Sequence, residues 1–282
     1  MAVRSRVERL CALGVDIAIV SGANVATVDG QLQARPDLEG RLFLFLSSGS
    51  EVYVVGPNGP RLLERRRAAE VEEAQLTAAA EALRDRLAAA GLDIEILNDR
   101  LNRRTIDLVP EWPHPSRAQI AELQERGRAR LARAGMEGVG EVFDLARTLA
   151  AEAGLAHPCI SGDARRVEIG LTDKSDSMRH VLKELILDRG RRPQDMIVLG
   201  DEFGPIGPSE GSDYLTLIPE LRRSTFVSVG LEPDGVPPRV LHVGGGPDEF
   251  LRILHDQLAY REEVAYASFP APIRDPAWRF EV

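Results

Sequence analysis

Three carboxylates lie close together in the sequence, after a short apolar stretch. Residues 196–199 (MIVL) predict a buried strand, and Asp201 and Glu202 follow it after one glycine. Asp213 comes after a loop that is rich in Gly and Pro. Carboxylates gathered at the end of a strand offer the oxygen ligands that Mg²⁺ prefers, so the three residues are candidate metal ligands. Turn formation and helix capping are the alternative, because Asp and Gly favour turns.

Two further residues, Lys174 and Ser21, could bind a phosphate group. Lys174 stands where a helix is predicted to begin, over 175–187. Ser21 and Gly22 follow the apolar run Val15–Val20 (VDIAIV), which predicts a strand covered on both faces. A lysine charge and the free N–H groups of a helix start both attract phosphate oxygens. The alternatives are a solvated surface lysine and a serine that caps the following helix.

A group of polar side chains on a predicted hairpin, Asp93–Val109, could contact a substrate. Its candidates are Asn98, Arg103 and Arg104. Strand alternation places the two arginines on opposite faces, so one of them would face the rest of the protein. Guanidinium groups suit paired hydrogen bonds to phosphate. A solvated sheet face is the alternative, and the run Arg65–Arg67 is interpreted as surface.

Composition excludes several classes of protein. The chain has 282 residues, of which 44% are hydrophobic and 28% charged, so it can fill a core and is not mainly disordered. A net charge of −9 argues against a dedicated nucleic-acid binder. The two cysteines form no disulfide framework, and we find no membrane-spanning run or signal peptide. A cytoplasmic protein without membrane partners is the expectation.

The order of the predicted elements indicates an α/β fold with an inserted domain. Apolar strands alternate with helices in residues 1–51 and 167–259, which predicts a Rossmann-like core built on a parallel sheet. Residues 52–166 contain hairpins and amphipathic helices, which predicts an α+β cap. Residues 260–282 contain three prolines and are interpreted as a linker or tail.

Taken in order, three segments resemble motifs of the haloacid dehalogenase superfamily of phosphohydrolases. VDIAIVSGA resembles the second motif, TDKSDSMRHVL the third and GDEFGPIGPSEGSD the fourth. The insert lies between the second and third motifs, as in the large-cap class that includes trehalose-phosphate phosphatases, sucrose-phosphate phosphatases and phosphomannomutases. The resemblance covers about residues 5 to 258, and the order and spacing of the motifs carry it.

The resemblance implies a Mg²⁺-dependent phosphatase that acts on a sugar phosphate. Lys174 and Ser21 would stabilise the transferring phosphoryl group. Asp201 would hold Mg²⁺, with Asp213 or Glu202 assisting. The cap would close over the site and select the leaving group. A phosphoryl-transferring mutase is a further possibility within the same family.

The family's first motif, a strand that ends in DxD and supplies the nucleophile, has no counterpart in this sequence. It would fall roughly 20 residues before the second motif, upstream of Met1. We expect either that the native chain begins further upstream, or that this is a non-catalytic domain that binds sugar phosphates or has a regulatory role. The first alternative is favoured, because a core without that strand would expose apolar sheet edges.

The end of the chain carries a separate resemblance. IRDPAWRFEV resembles the opening of glycoside phosphorylases and hydrolases that act on disaccharides. It implies a C-terminal fusion to such a domain within a larger disaccharide-processing protein. The expected partner is otherwise a phosphorylated small molecule.

Overall fold

A computed structural model describes residues 2–37, 41–97, 100–112, 119–162, 165–206, 209–230 and 235–267. The helices are α1 (Ala2–Ala12), α2 (Val25–Leu32), α3 (Glu70–Ala89), α4 (Ile120–Arg133), α5 (Val139–Glu152), α6 (Lys174–Val181) and α7 (Gly246–Ala267). The strands are β1 (Ile17–Val20), β2 (Leu42–Leu46), β3 (Glu51–Gly56), β4 (Gly59–Arg65), β5 (Glu95–Leu97), β6 (Arg103–Asp107), β7 (Cys159–Gly162), β8 (Arg166–Gly170), β9 (Ile197–Gly200), β10 (Pro205–Ile206), β11 (Ser209–Glu210), β12 (Thr225–Ser228) and β13 (Val240–His242). A π-helical segment, Leu182–Leu187, continues α6.

The first core sheet has the order β1-β2-β3-β4, and its β1–β2 pair is parallel. Strand β2 reads LFLFL and is buried along its whole length. Its alternate side chains enter two different clusters. Leu42 and Leu44 pack in a cluster that contains Val7 of α1, whereas Phe43 and Phe45 pack in one that contains Met178 of α6. A continuous apolar strand is stable here because a helix covers each face.

The hairpin β3–β4 corrects one predicted boundary. The cap was predicted to begin at residue 52, but β3 pairs with β2 along its length, so the hairpin extends the core sheet. Val52 and Val54 share the buried cluster of Phe43 and Phe45, which explains why the hairpin belongs there. The rest of the predicted division into core and cap stays a prediction.

The second core sheet, β9-β12-β13, is parallel throughout. It shares one buried cluster with the first sheet, because Val198 and Phe226 pack together with Phe43. In the described part of the chain β1 pairs only with β2, and β9 only with β12. All four β1 residues are partly exposed, and Ile197 of β9 is 46% exposed. Both faces of β1 are nevertheless covered, as predicted for 15–20, because Ile17 and Ile19 pack against the cluster of Val7 while Ala18 and Val20 pack against that of Phe43. The exposure of β1 therefore lies at its open edge.

The inserted region contains an antiparallel sheet, β5-β6-β8-β7, covered by α3 and α5. Leu83 of α3, Ala146 of α5 and Ile106 of β6 are fully buried in one cluster. The predicted hairpins and helices are confirmed here, with ends displaced by a few residues. The predicted turn at Asn98 lies outside the described residues.

Asn102 forms hydrogen bonds at both places where the chain passes between the core and the insert. It is 1% exposed and has a positive φ of 58°. Its Nδ2 donates to Ser50 Oγ at 2.8 Å and to the Arg66 carbonyl at 2.9 Å, while its Oδ1 accepts from the Ala68 amide at 2.7 Å. Its backbone carbonyl accepts from the Leu171 amide at 3.0 Å on the return crossing. One residue thus fixes both connections, the first through its side chain and the second through its backbone carbonyl.

The last helix is longer than predicted. Helix α7 continues to residue 267, beyond the predicted end of the core at 259, and packs against α1. The first part of the predicted tail at 260–282 is therefore helical, and residues 268–282 lie outside the described part. Among the described helices, none combines the length and the apolar character needed to cross a membrane.

Candidate functional site

Lys174 begins α6, as the sequence predicted. Asp173 caps the helix by accepting from the Ser175 amide at 2.7 Å, which fixes where the helix starts. The Lys174 Nζ then donates to Ser212 Oγ at 2.6 Å and to Asp213 Oδ1 at 2.7 Å. An ammonium group has three donors, so one N–H of Lys174 remains for a ligand.

Asp213 holds the loop that follows β9. Its Oδ2 accepts from the backbone amides of Asp201 and Glu202, both at 2.9 Å. This approach requires glycine at position 200, since an added Cβ there would lie 2.8 Å from Asp213 Cγ and 2.8 Å from the Phe203 ring. The Gly before the carboxylates therefore makes room for the returning Asp213.

Glu202 belongs to the same hydrogen-bonded network. The hydroxyl of Ser212 donates to Glu202 Oε2. Burial raises the pKa of Glu202, the charges of Asp213 and Asp201 raise it further, and the Ser212 hydrogen bond and the Lys174 charge oppose the shift. Ser212, which the sequence analysis did not select, joins Lys174 to this carboxyl group.

The three predicted metal ligands do not converge as a group. Among the described residues, no set of three or more His, Cys, Asp or Glu side chains is arranged to hold a metal ion. Both oxygens of Asp213 already accept hydrogen bonds, and Glu202 is bound to Ser212. The side chain of Asp201 is exposed and is the available carboxylate of the three. A metal role for this set stays a prediction.

Ser21 and Gly22 form the loop after β1. Ser21 Oγ accepts from the Ala23 amide at 3.1 Å, which leaves its hydroxyl proton for another acceptor. The cap of α2 is Asn24, whose side chain accepts from the Thr27 amide at 3.0 Å. The capping alternative for Ser21 is therefore wrong.

The turn at 47–49 connects this loop to α6. The Ser48 amide donates to the Ser21 carbonyl at 3.2 Å. Gly49 has a φ of 90°, and an added Cβ there would lie 2.8 Å from the Ser177 amide nitrogen and 3.1 Å from the Asp173 carbonyl oxygen. The loops after β1 and β2 thus lie beside the start of α6. Ligands bind at this carboxyl-terminal edge in open α/β sheets.

The predicted arginines on β6 point to different neighbours, as strand alternation requires. Arg103 is 3% exposed, and its guanidinium donates to Glu168 at 2.6 Å and to the Thr172 carbonyl at 3.3 Å. An added Cβ at Gly22 would lie 3.8 Å from Arg103 Nη1, so Arg103 is close to the phosphate-loop candidate. Arg104 binds Glu73 of α3 at 2.5 Å. Asn98 lies outside the described residues.

A pocket of about 540 Å³ opens beside Gly22 and reaches the insert. Its lining includes Arg65, Arg67 and Arg100, which the sequence analysis treated as surface or did not select as a site. No local pattern distinguishes them from other arginines, because the pocket forms only where the end of β4, the turn before β6 and the loop after β1 meet.

The sequence matches no family model, and no curated protein matches it significantly. Solved structures nevertheless share its fold. The N-terminally truncated IMP-nucleotidase of Plasmodium falciparum matches with a TM-score of 0.52 and 13% identity, over 90% of this chain and 64% of that chain. Another structure of that IMP-nucleotidase matches with a TM-score of 0.54 and 11% identity, over 91% and 57%.

This chain has the haloacid dehalogenase fold. It spans about six-tenths of the length of the IMP-nucleotidase chains that it matches. A haloacid dehalogenase-like hydrolase from B. subtilis also matches, with a TM-score of 0.46 and 11% identity over 89% of this chain and 90% of that chain, too weakly to support an argument. The two IMP-nucleotidase likenesses establish the fold alone, and the activity is argued from the site.

Proposed function

We propose that this chain forms the phosphate-ester site of a phosphatase of the haloacid dehalogenase type, with a sugar phosphate as its substrate. The pairing of Lys174 with Asp213 carries the proposal. The two residues are 39 positions apart, and their 2.7 Å contact joins the third and fourth motifs at one edge of the core. This edge also receives the loop that contains Ser21.

The proposed roles follow from the hydrogen bonds that each side chain leaves unused. Lys174 and Ser21 each retain one donor for a phosphoryl oxygen. A cation and a hydroxyl fixed before the substrate arrives stabilise the charge of a phosphoryl group in transfer. Asp213 acts as a positioning residue, because its two oxygens are already committed to Lys174 and the loop after β9.

Mg²⁺ dependence is part of this proposal. When bound, Mg²⁺ would neutralise phosphate charge. Asp201 is the residue proposed to hold it, with water and the substrate phosphate as further ligands, since Mg²⁺ sites often use only one or two carboxylates. Removing Mg²⁺ with a chelator, and adding it back, tests this point through phosphate release from the substrate.

The chain contains two lysines, Lys174 and Lys183, which provide a matched test. Lys183 follows α6, pairs with Glu64 and has a side chain that is 53% exposed. In a chain that includes the family's first motif, we expect Lys174→Ala to abolish phosphate release and to weaken sugar-phosphate binding, whereas Lys183→Ala leaves both unchanged. Equal effects of the two substitutions would exclude the proposed role of Lys174.

A non-catalytic domain that binds sugar phosphates, possessing the same site without turnover, is the second candidate. The observation that favours it is that the hydrogen bonds of the described residues bring the carboxylate of Asp213 to Lys174 but show none bound to Ser21. Phosphate release and calorimetric binding, measured together on the same sugar phosphates and IMP, distinguish the two. Binding without release supports the second candidate, and release supports the phosphatase.

A further inference from the structure

The pocket beside Gly22 brings together parts of the core and of the insert. Its walls come from the loop after β1, the end of β4, the start of α3 and the turn before β6. At about 540 Å³ it is large enough for a sugar-sized group next to the Ser21 loop. Its charges indicate what kind of group it accepts.

Both acidic residues that line the pocket are already paired. Glu51 forms an ion pair with Arg65 at 2.6 Å and also accepts from Ser47 and Tyr53. Glu73 pairs with Arg104 at 2.5 Å. No acidic side chain in the described lining is left to neutralise another cation.

Two arginines of the lining, Arg67 and Arg100, have no acidic partner among the described residues. Arg100 donates to the Gly22 carbonyl at 3.3 Å, and Arg67 is exposed. A third arginine, Arg103, also lines the pocket, and its buried Nε has no hydrogen-bond partner. Within the described part of the chain, the pocket therefore carries two uncompensated positive charges and one buried donor without an acceptor.

We propose that this pocket binds a second anionic group, a carboxylate or a phosphate, carried by the leaving group of the substrate. The proposal rests on the proposed function, because it names a substrate class for the same site. Arginine favours such groups, since its planar donors match an oxyanion in pairs. Arg67 and Arg100 would then determine specificity, while Lys174 and Ser21 bind the first phosphate.

The test compares three ligands on one carbon skeleton by isothermal titration calorimetry of the full chain at fixed ionic strength. Glucose 6-phosphate has one anionic group, 6-phosphogluconate adds a carboxylate, and glucose 1,6-bisphosphate adds a phosphate. We expect one or both of the doubly charged ligands to bind at least about tenfold more tightly than glucose 6-phosphate. Which one does so identifies the second group.

Substitutions of the pocket arginines test whether Arg67 and Arg100 cause the preference for doubly charged ligands. In the double variant Arg67→Gln, Arg100→Gln we expect the preference to fall to about one, with glucose 6-phosphate affinity unchanged. Arg128→Gln, an exposed arginine of α4, removes one positive charge away from the pocket and should keep the preference. If the double variant fails to fold, the single variant Arg67→Gln replaces it in the test, because Arg67 is exposed. This single variant should lower the preference for doubly charged ligands.

The outcomes separate this proposal from the proposed function. Equal binding of all three ligands to the unmodified chain, or a preference that survives in the double variant, overturns the pocket assignment. If glucose 6-phosphate fails to bind, the proposed phosphate site fails. Gluconate then tests the pocket alone: binding that needs the pocket arginines supports it, and no binding overturns it too.

Discussion

Lys174 and Asp213 form an ion pair in which the carboxylate has no unused oxygen. The Nζ–Oδ1 distance is 2.7 Å, and Oδ2 accepts from the amides of Asp201 and Glu202 at 2.9 Å each. One carboxylate therefore holds the lysine and the loop after β9 in place. The site is ordered before a ligand binds, which is the condition for effective electrostatic stabilisation.

Replacing Asp213 should destabilise the fold. Asp213→Asn would set an amide N–H₂ against either Lys174 or the two backbone donors, and leave the lysine without its counter-charge. We expect a loss of about 3 kcal/mol in the free energy of unfolding, measured by urea denaturation. Asp144→Asn is the control: Asp144 is 78% exposed and pairs with Arg147, so its loss should be below about 1 kcal/mol. Similar small losses in both variants would contradict the conclusion that Asp213 holds Lys174 and the loop after β9 in place.

Gly200→Ala should disturb the same loop through sterics alone. The new Cβ would lie 2.8 Å from Asp213 Cγ, so the carboxylate must move. We expect a loss of about 2 kcal/mol in the free energy of unfolding. Gly30, inside α2, has no atom within 4 Å of an added Cβ. Gly30→Ala should instead stabilise the protein by about 0.5–1 kcal/mol. Two changes of the same sign would refute this account.

Asn102→Ala should loosen the connection between the core and the insert. The substitution leaves the Ser50, Arg66 and Ala68 groups without their buried partner and places alanine at a φ of 58°. We expect a loss of about 3–5 kcal/mol in thermal or urea unfolding. Asn102→Gly should lose about 1 kcal/mol less, because glycine relieves the backbone strain.

Gln33 offers the matched control for that experiment. It has a φ of 51° but is exposed and caps the end of α2 through its backbone. Gln33→Gly should be neutral or stabilising, because no buried side-chain bond is lost. A loss there as large as that of Asn102→Gly would show that the backbone conformation, rather than the hydrogen bonds, explains the effect.

The two thiols should react slowly in the folded protein. Burial raises the pKa of Cys11 and of Cys159 to about 12, from an ordinary value of 9.0. We expect a disulfide reagent at pH 8 to label both only as the chain unfolds, because the thiolate is the reactive form. Rapid labelling of native protein would contradict the burial of these groups.

The same shift gives a pH dependence with a definite sign. Between pH 9 and about 12 the unfolded thiols lose their protons while the folded ones keep them, so the free energy of unfolding falls as pH rises. The double variant Cys11→Ala, Cys159→Ala should show a shallower fall over this range. An unchanged slope would assign the pH dependence to other groups.

The sequence by itself determined the local elements and their order. The apolar runs at β2 and β9 predict strands, because buried strands need continuous hydrophobic faces. The helix predicted to begin at Lys174 does begin there. Glycine at position 200, just before two carboxylates, marks a turn. These features depend on neighbouring residues, and a sequence displays neighbours directly.

Only the tertiary structure decided which side chains remain available. Asp213 was predicted as a metal ligand, yet its oxygens are occupied by Lys174 and by two amides. Arg104 was predicted as a substrate contact but pairs with Glu73, whereas Arg67 and Arg100, which were not selected as site residues, line the pocket with no acidic partner among the described residues. Hydrogen bonding and charge pairing act between residues brought together from distant positions, so the sequence shows which groups are present and folding determines which are free.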